Sequence, residues 1–164
     1  MKKLLPLSIM LFLVSIAFNS LSQADTTHTT KQEIITLDLT GAGISATMQV
    51  PPGTTAQNIG GAVISNEKDF VIRAEIVTQS FSLDTLRDKA QGNDVEKFKR
   101  YIVNTGDAIL YEVFIHGDRI EYLLHALVNV GGKYYHFYND RGIGRYNENS
   151  AMAMYNAVKT IKAK

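Results

Sequence analysis

Apolar and polar residues alternate in two runs, residues 35–39 and 44–50. A period of two residues is typical of a half-buried β-strand. The glycine-containing residues 41–43 separate the two runs, and residues 51–53, Pro-Pro-Gly, follow the second. Glycine and proline favour turns, so the pattern predicts a β-hairpin that ends at residues 51–53.

A second hairpin is predicted around the polar turn at residues 66–69, which separates the apolar residues 62–65 from the alternating residues 70–77. The longer run places four apolar side chains on one face: Phe70, Ile72, Ala74 and Ile76.

Three alternating runs fill residues 108–139, and two short glycine-containing turns, at residues 117–118 and 131–132, separate them. Short turns of this composition between alternating runs are a strong hairpin signal. The segment therefore predicts an antiparallel meander of three strands.

The turns also predict which residues pair across the meander. With two residues in each loop, His116 lies opposite Arg119 and Val130 lies opposite Lys133. One predicted face is the core: Tyr111, Val113, Ile115, Ile120, Tyr122, Leu124, Ala126, Val128, Tyr135 and Phe137. The other predicted face is mixed: Glu112, Phe114, Glu121, Leu123, His125, Leu127, Tyr134, His136 and Tyr138.

Two segments have the helical period instead. The first begins after Ser82, a good helix cap, and ends at residues 92–93, Gly-Asn. Its apolar face comprises Leu83, Leu86 and Ala90. The second follows Asn149 or Ser150 as its cap, and its apolar stripe comprises Met152, Tyr155, Val158 and Ile161, flanked by Ala151 and Met154. Together the elements predict an α+β fold, an antiparallel β-sheet with helices packed on it.

The first residues read as a targeting segment. Lys2 and Lys3 precede the apolar residues 4–18, and the small residues Ser22 and Ala24 then stand at the positions that a signal peptidase requires. We expect a signal peptide at residues 1–24, a flexible polar segment at residues 25–32 and a single domain at residues 33–164. A retained N-terminal anchor is the alternative, which the short apolar run disfavours.

Charge and cysteine content narrow the classes of function. The chain has 17 basic and 16 acidic residues, so loss of the two lysines in the signal peptide leaves a formal net charge of −1. Its basic clusters are short and diluted by acidic residues, which argues against nucleic acid as a partner. The absence of cysteine excludes disulfides and thiolate metal sites. We expect bacterial export to the periplasm or the medium, with no membrane span after cleavage.

One cluster on the mixed face suggests chemistry. In the predicted register Glu112, His125 and His136 are diagonal neighbours, and two imidazoles with a carboxylate can ligate zinc or transfer protons. The alternative, which we favour, is that these groups hydrogen-bond one another at the partly solvated edge of the sheet. The sequence has no HExxH or GxSxG motif and no phosphate-binding loop, and we expect no cofactor.

The order of elements resembles that of the PsbP-like family, through the strand end "ISATMQVPPGT", the helix start "SLDTLRDKA", the meander "AILYEVFIHGDRIEYLLHALVNVGGKYYHFYND" and the final "NENSAMAMYNAVKTIK". The resemblance covers residues 43–161. It implies an α/β/α sandwich, an antiparallel sheet between helices, and function by binding, since the family has no shared catalytic residues.

The sequence therefore favours an exported, non-catalytic binding or accessory module for an unknown protein or small molecule. Tyrosines are frequent anchors at interfaces, and nearby arginines add charge complementarity. On this basis the predicted binding residues lie at and after the last strand of the meander: Tyr134, Tyr138, Arg141 and Arg145. The alternative is a small metal-dependent or hydrolytic enzyme that uses Glu112, His125 and His136.

Overall fold

The structure, a computed structural model, describes residues 33–77, 81–93, 95–115, 119–141 and 146–164. The predicted signal peptide and flexible segment lie outside these residues, as do His116 and Arg145. The described part forms ten β-strands and two α-helices. In chain order they are β1 (Ile35–Asp38), β2 (Ala46–Val50), β3 (Thr55–Asn58), β4 (Ala62–Ser65), β5 (Val71–Ile76), α1 (Leu83–Gln91), β6 (Glu96–Asn104), β7 (Ala108–Ile115), β8 (Arg119–Val130), β9 (Lys133–Asn139), α2 (Glu148–Val158) and β10 (Lys162–Ala163).

The strands form two antiparallel sheets. The smaller sheet has the order β1-β2-β10, and the larger has the order β3-β4-β5-β9-β8-β7-β6. All the neighbouring strands in both sheets run antiparallel. The predicted α+β class, with helices packed on a sheet, is confirmed.

Both predicted hairpins are present. A 3₁₀ turn at Leu39–Ala42 joins β1 to β2, and Gly43 follows it with a φ of 81°, a backbone conformation that glycine adopts without strain. On the predicted apolar face of β5, Ile72 and Ala74 are buried, whereas Ile76 is 60% exposed because it stands at the end of the strand.

Three strands have no counterpart in the sequence prediction: β3, β6 and the two-residue β10. The residues of β3, Thr-Ala-Gln-Asn, show no apolar alternation. In β6 the alternation is broken, because β-bulges shift the pairing between Phe98 and Arg100 and again between Tyr101 and Val103. A bulge adds a residue to one strand, so the period of two is lost at that point.

The meander is present, but one of its two predicted registers is wrong. Val130 pairs with Lys133 as predicted, whereas Arg119 pairs with Ile115 and not with His116. The chain between these partners is therefore one residue longer than the assumed two-residue loop. A shift by one residue exchanges the two faces of a strand, so the alternate residues of β7 lie on the faces opposite to those predicted.

The seven-stranded sheet is covered on both sides. We define its inner face by Leu110, Leu124 and Phe137, which are fully buried in one cluster with α2 and with Met48 of the smaller sheet. Tyr135 is buried and Tyr122 partly buried in that same cluster, and His125 and His136 lie on the opposite face, as predicted.

The outer face carries the other side chains of β7 and β8. Three residues predicted for the core face of the meander, Tyr111, Val113 and Ile115, lie on this side and are buried in a second cluster with Leu83 of α1. Helix α1 contacts β6, β7 and β8, so it covers one half of the outer face.

The helix ends follow local hydrogen bonding. The Ser82 hydroxyl accepts from the Asp84 backbone N–H, so the predicted cap of α1 is confirmed. Helix α2 begins earlier than predicted, because the Asn147 side chain accepts from the Ser150 N–H, and it ends at Val158. Its buried stripe is consequently Ala151, Met154, Ala157 and Val158, whereas Met152, Tyr155 and Ile161 are only partly buried. Neither described helix is long and apolar enough to cross a membrane.

Candidate functional site

The three predicted binding residues that the structure describes, Tyr134, Tyr138 and Arg141, have different surroundings. Tyr134 and Tyr138 lie on the same face of β9 but are four positions apart, which is about 13 Å along a strand. Tyr134 is 56% exposed, and Tyr138 is partly buried against His136, with ring centroids 4.8 Å apart. Arg145 lies outside the described residues.

Arg141 is engaged by two carboxylates of the protein. Its guanidinium group lies 2.6 Å from Glu96 of β6 and 3.1 Å from Glu121 of β8. Burial acts to lower the pKa of Arg141, but the bonds to Glu96 and Glu121 outweigh it and raise that pKa. Arg141 therefore links the end of β9 to strands β6 and β8.

The predicted cluster of Glu112, His125 and His136 does not converge. The shifted register of β7 places Glu112 on the inner face, where it is 1% exposed, while both histidines lie on the outer face. Among the described residues, no three histidine, aspartate or glutamate side chains approach closely enough to hold a metal ion.

Glu112 instead holds two cations of β6. Lys99 Nζ lies 2.5 Å and Arg100 Nε 2.6 Å from its two carboxylate oxygens, because the bulge after Phe98 turns both consecutive side chains toward it. Arg100 also contacts Glu148 in the first turn of α2, at 2.7 Å. Desolvation acts to raise the pKa of Glu112, but the hydrogen bonds from Lys99 and Arg100 outweigh it and lower that pKa.

The two histidines do meet, and a residue from β5 completes the arrangement. His125 Nδ1 lies 3.0 Å from His136 Nε2, and His136 Nδ1 lies 3.0 Å from Glu75 Oε1. The ring planes differ by 14° and the centroids are 5.2 Å apart, so the imidazoles lie edge to edge in nearly one plane. The two nitrogens thus face each other, as the N–H donor and the lone-pair acceptor of a hydrogen bond do, and are not directed at a shared metal ion.

The Glu75 carboxylate determines which atom donates in each of these two hydrogen bonds. An ionised Glu75 only accepts, so Nδ1 of His136 carries a proton and its Nε2 accepts from the Nδ1–H of His125. Burial lowers the pKa of His125 to about 3, helped by His136 and Arg141. Burial also lowers the pKa of His136, and Glu75 opposes that shift. Such a chain of hydrogen bonds has the connectivity to pass a proton, but at neutral pH both imidazoles are uncharged, and the chain serves as a hydrogen-bonded link between β5, β9 and β8.

An open groove lies beside the hydrogen-bonded residues Glu75, His136 and His125, at the start of β9. We call it the Tyr134 groove; its volume is about 480 Å³, and it is lined by Ile76, Val77, Phe81, Leu127, Gly132, Lys133 and Tyr134.

The turn before β9 positions Tyr134 in this groove. Gly131 and Gly132 have φ values of 58° and 84°, the left-handed conformations of a tight hairpin turn, and Asn129 accepts from the Gly132 N–H at 3.1 Å. Val77 donates to the Tyr134 carbonyl at 2.9 Å, which brings the end of β5 alongside. The opposite wall is Phe81, whose ring lies 4.2 Å from that of His136.

Of the predicted binding residues that the structure describes, only Tyr134 lines this groove. Ile76 and Phe81, which sequence reasoning did not assign to a site, stand with it. A scan of the chain against protein-family models and searches of curated proteins and of solved structures give no match.

Proposed function

We propose that the chain is an exported binding or accessory module, without catalytic activity, that holds a partner protein in the Tyr134 groove. One observation carries the proposal: two large apolar side chains, Ile76 at 60% and Tyr134 at 56% exposure, stand in the same groove. A protein normally buries such side chains, and neighbouring exposed ones mark interaction surfaces. The other strongly exposed large apolar side chains of the described residues line other grooves or stand alone: Ile34, Ile59, Val95 and Ile120.

The composition of the groove favours an apolar anchor as its occupant. Phe81 and Leu127 provide an apolar floor and wall, and Tyr134 adds a large apolar ring with a polar tip. Lys133 supplies a positive charge at the rim, so an apolar side chain with an acidic neighbour is the complementary feature of a partner. The groove is open, which suits a side chain presented by another protein.

The test compares substitutions within and outside the groove. Tyr134→Ala and Ile76→Ser each remove exposed apolar area, and we expect each to weaken capture of the native partner by at least about 1 kcal/mol, or roughly fivefold in Kd. A photo-crosslinking amino acid at Lys133 identifies the partner in the exported fraction, and calorimetry with the purified pair then gives the affinities.

Val95→Ser is the matched control. Val95 is 66% exposed and precedes β6, whose first residue pairs with the far end of β7. We expect it to leave the affinity unchanged. Equal affinities for wild type, Tyr134→Ala and Ile76→Ser would exclude the groove as the partner site.

A further inference from the structure

A second groove lies on the other side of the large sheet, between helix α2 and strand β2. It has a volume of about 440 Å³, within the range of ligand sites, and no residue that lines it is charged. Its apolar surface includes Val50, Ala153 and Ala157, and its small alanines leave the space open. Any occupant that loses water here must therefore lack charge, since the groove offers no opposite charge to compensate.

Three carboxamide side chains stand around this groove: Gln49 on β2, and Asn149 and Asn156 on α2. All three residues are exposed, and their amide groups make no hydrogen bond to any described residue. Each amide offers both donors and an acceptor, which is the pattern that a peptide group presents in return.

The walls that carry these amides are fixed to each other. The Thr160 hydroxyl accepts from the Gln49 backbone N–H at 2.8 Å and donates to the Ala157 carbonyl at 2.6 Å. The end of α2 is thereby tied to β2, so the two walls keep their separation. A preformed groove requires less ordering when a ligand binds.

We infer that this groove binds an extended, uncharged peptide segment, whose backbone is held by the three amides. Asn149 and Asn156 are seven residues apart on α2, which is about 10.5 Å along the helix axis. An extended peptide covers that distance with about three residues. Small apolar side chains of the peptide fit beside Ala153 and Ala157, and no described aromatic side chain lines the groove to stack on a sugar ring.

NMR titration of the ¹⁵N-labelled protein tests the inference. The probe is a mixture of acetylated and amidated tetrapeptides composed of alanine, valine, threonine and asparagine. We expect saturable shifts of the side-chain amides of Gln49, Asn149 and Asn156 with a Kd below about 1 mM. Ala153→Trp fills the groove and should weaken binding at least tenfold.

Lys159→Trp is the control, because it places the same bulk directly after α2, at a residue that lines a different cavity, and it should leave the Kd unchanged. Asn156→Ala gives a milder second variant, with an expected loss of threefold or more. The inference is overturned by an absence of shifts at 5 mM peptide, by equal binding to Ala153→Trp, or by tighter binding of maltotriose. None of these results bears on the Tyr134 groove, whose test uses other residues.

Discussion

His125 and His136 are two imidazoles held close together with little access to water. His136 is 5% exposed, and the charged groups that face the pair are Glu75 from β5 and Arg141 after β9, with the phenols of Tyr111 and Tyr138 beside them. The pair accepts one proton without losing its internal hydrogen bond. A second proton would leave two N–H groups facing each other at 3.0 Å, which is repulsive.

The pKa shifts of this pair predict how stability depends on pH. The pKa of His125 is about 3 in the folded chain and that of His136 is also lowered, against 6.5 for a free imidazole. Above pH 6.5 neither the folded nor the unfolded state binds the protons. Below it the unfolded state binds more protons, so the free energy of unfolding falls as the pH falls.

Between pH 7 and pH 5 we expect His125 to account for a loss of about 1–2 kcal/mol, because one proton per pH unit corresponds to about 1.4 kcal/mol. Urea unfolding at several pH values measures it. His125→Phe should be less stable at pH 7, since His136 loses a partner, but its stability should change less over this interval. Parallel pH profiles of the two proteins would show that the His125 imidazole is protonated to the same extent in the folded and unfolded states, which contradicts the lowered pKa.

For single residues, the sequence predicted which face of the sheet a side chain lies on better than it predicted the side chain's hydrogen-bond partner. Parity along β9 placed Tyr134, His136 and Tyr138 on one side, because the side chains of a strand alternate whatever its neighbours are. It did not predict that Glu75 is the partner of His136. These residues are 61 positions apart, and their contact depends on the pairing of β5 with β9, which no local pattern encodes.

At the scale of elements, the hairpin of β7 and β8 shows why the sequence placed Glu112 beside the two histidines. A register error of one residue in the hairpin of β7 and β8 was enough to move Glu112 to the wrong side of the sheet. The turn residues between the two strands do not by themselves fix the loop length, so sequence alone favoured the shorter loop. The β-bulge in β6 also interrupts the alternation of apolar and polar residues. It lies at the point where Lys99 and Arg100 both contact Glu112.

The ion cluster of Glu112, Lys99 and Arg100 predicts that loss of the two cations destabilises the protein more than loss of the carboxylate. Lys99→Ala with Arg100→Ala leaves the carboxylate of Glu112, 1% exposed, without its cations, and we expect a cost of about 2–4 kcal/mol at pH 7. Glu112→Leu should cost less, because the two cations are 39% and 49% exposed and remain hydrated.

Addition of Glu112→Leu to the double variant should therefore raise its stability, since the unpaired buried charge is removed. Chemical denaturation of the four proteins measures both effects. A triple variant less stable than the double variant would show that Glu112 is held by contacts other than its cations.

At the scale of the whole molecule, α2 joins the two sheets. It contacts β2 of the smaller sheet and β7, β8 and β9 of the larger, and the chain after it returns as β10 to pair with β2. The apolar pattern predicted that this helix packs on a sheet, but a helical stripe does not show how many sheets share it. One buried cluster extends from Leu39 and Met48 through Met154 to Phe137, so the two sheets have a common core.

Met154 therefore provides a test of whether the two sheets unfold together. It is fully buried near the middle of α2, so Met154→Ala leaves a cavity, and we expect a loss of about 2–4 kcal/mol of unfolding free energy. Asn156→Ala, on the exposed side of the same helix, should change it by less than about 0.5 kcal/mol. Native-state hydrogen exchange then separates local from global effects: if the core is shared, amides of β2 and β9 lose protection by the same amount in Met154→Ala. Loss of protection in β2 with β9 unchanged would mean that the smaller sheet opens independently of the larger one.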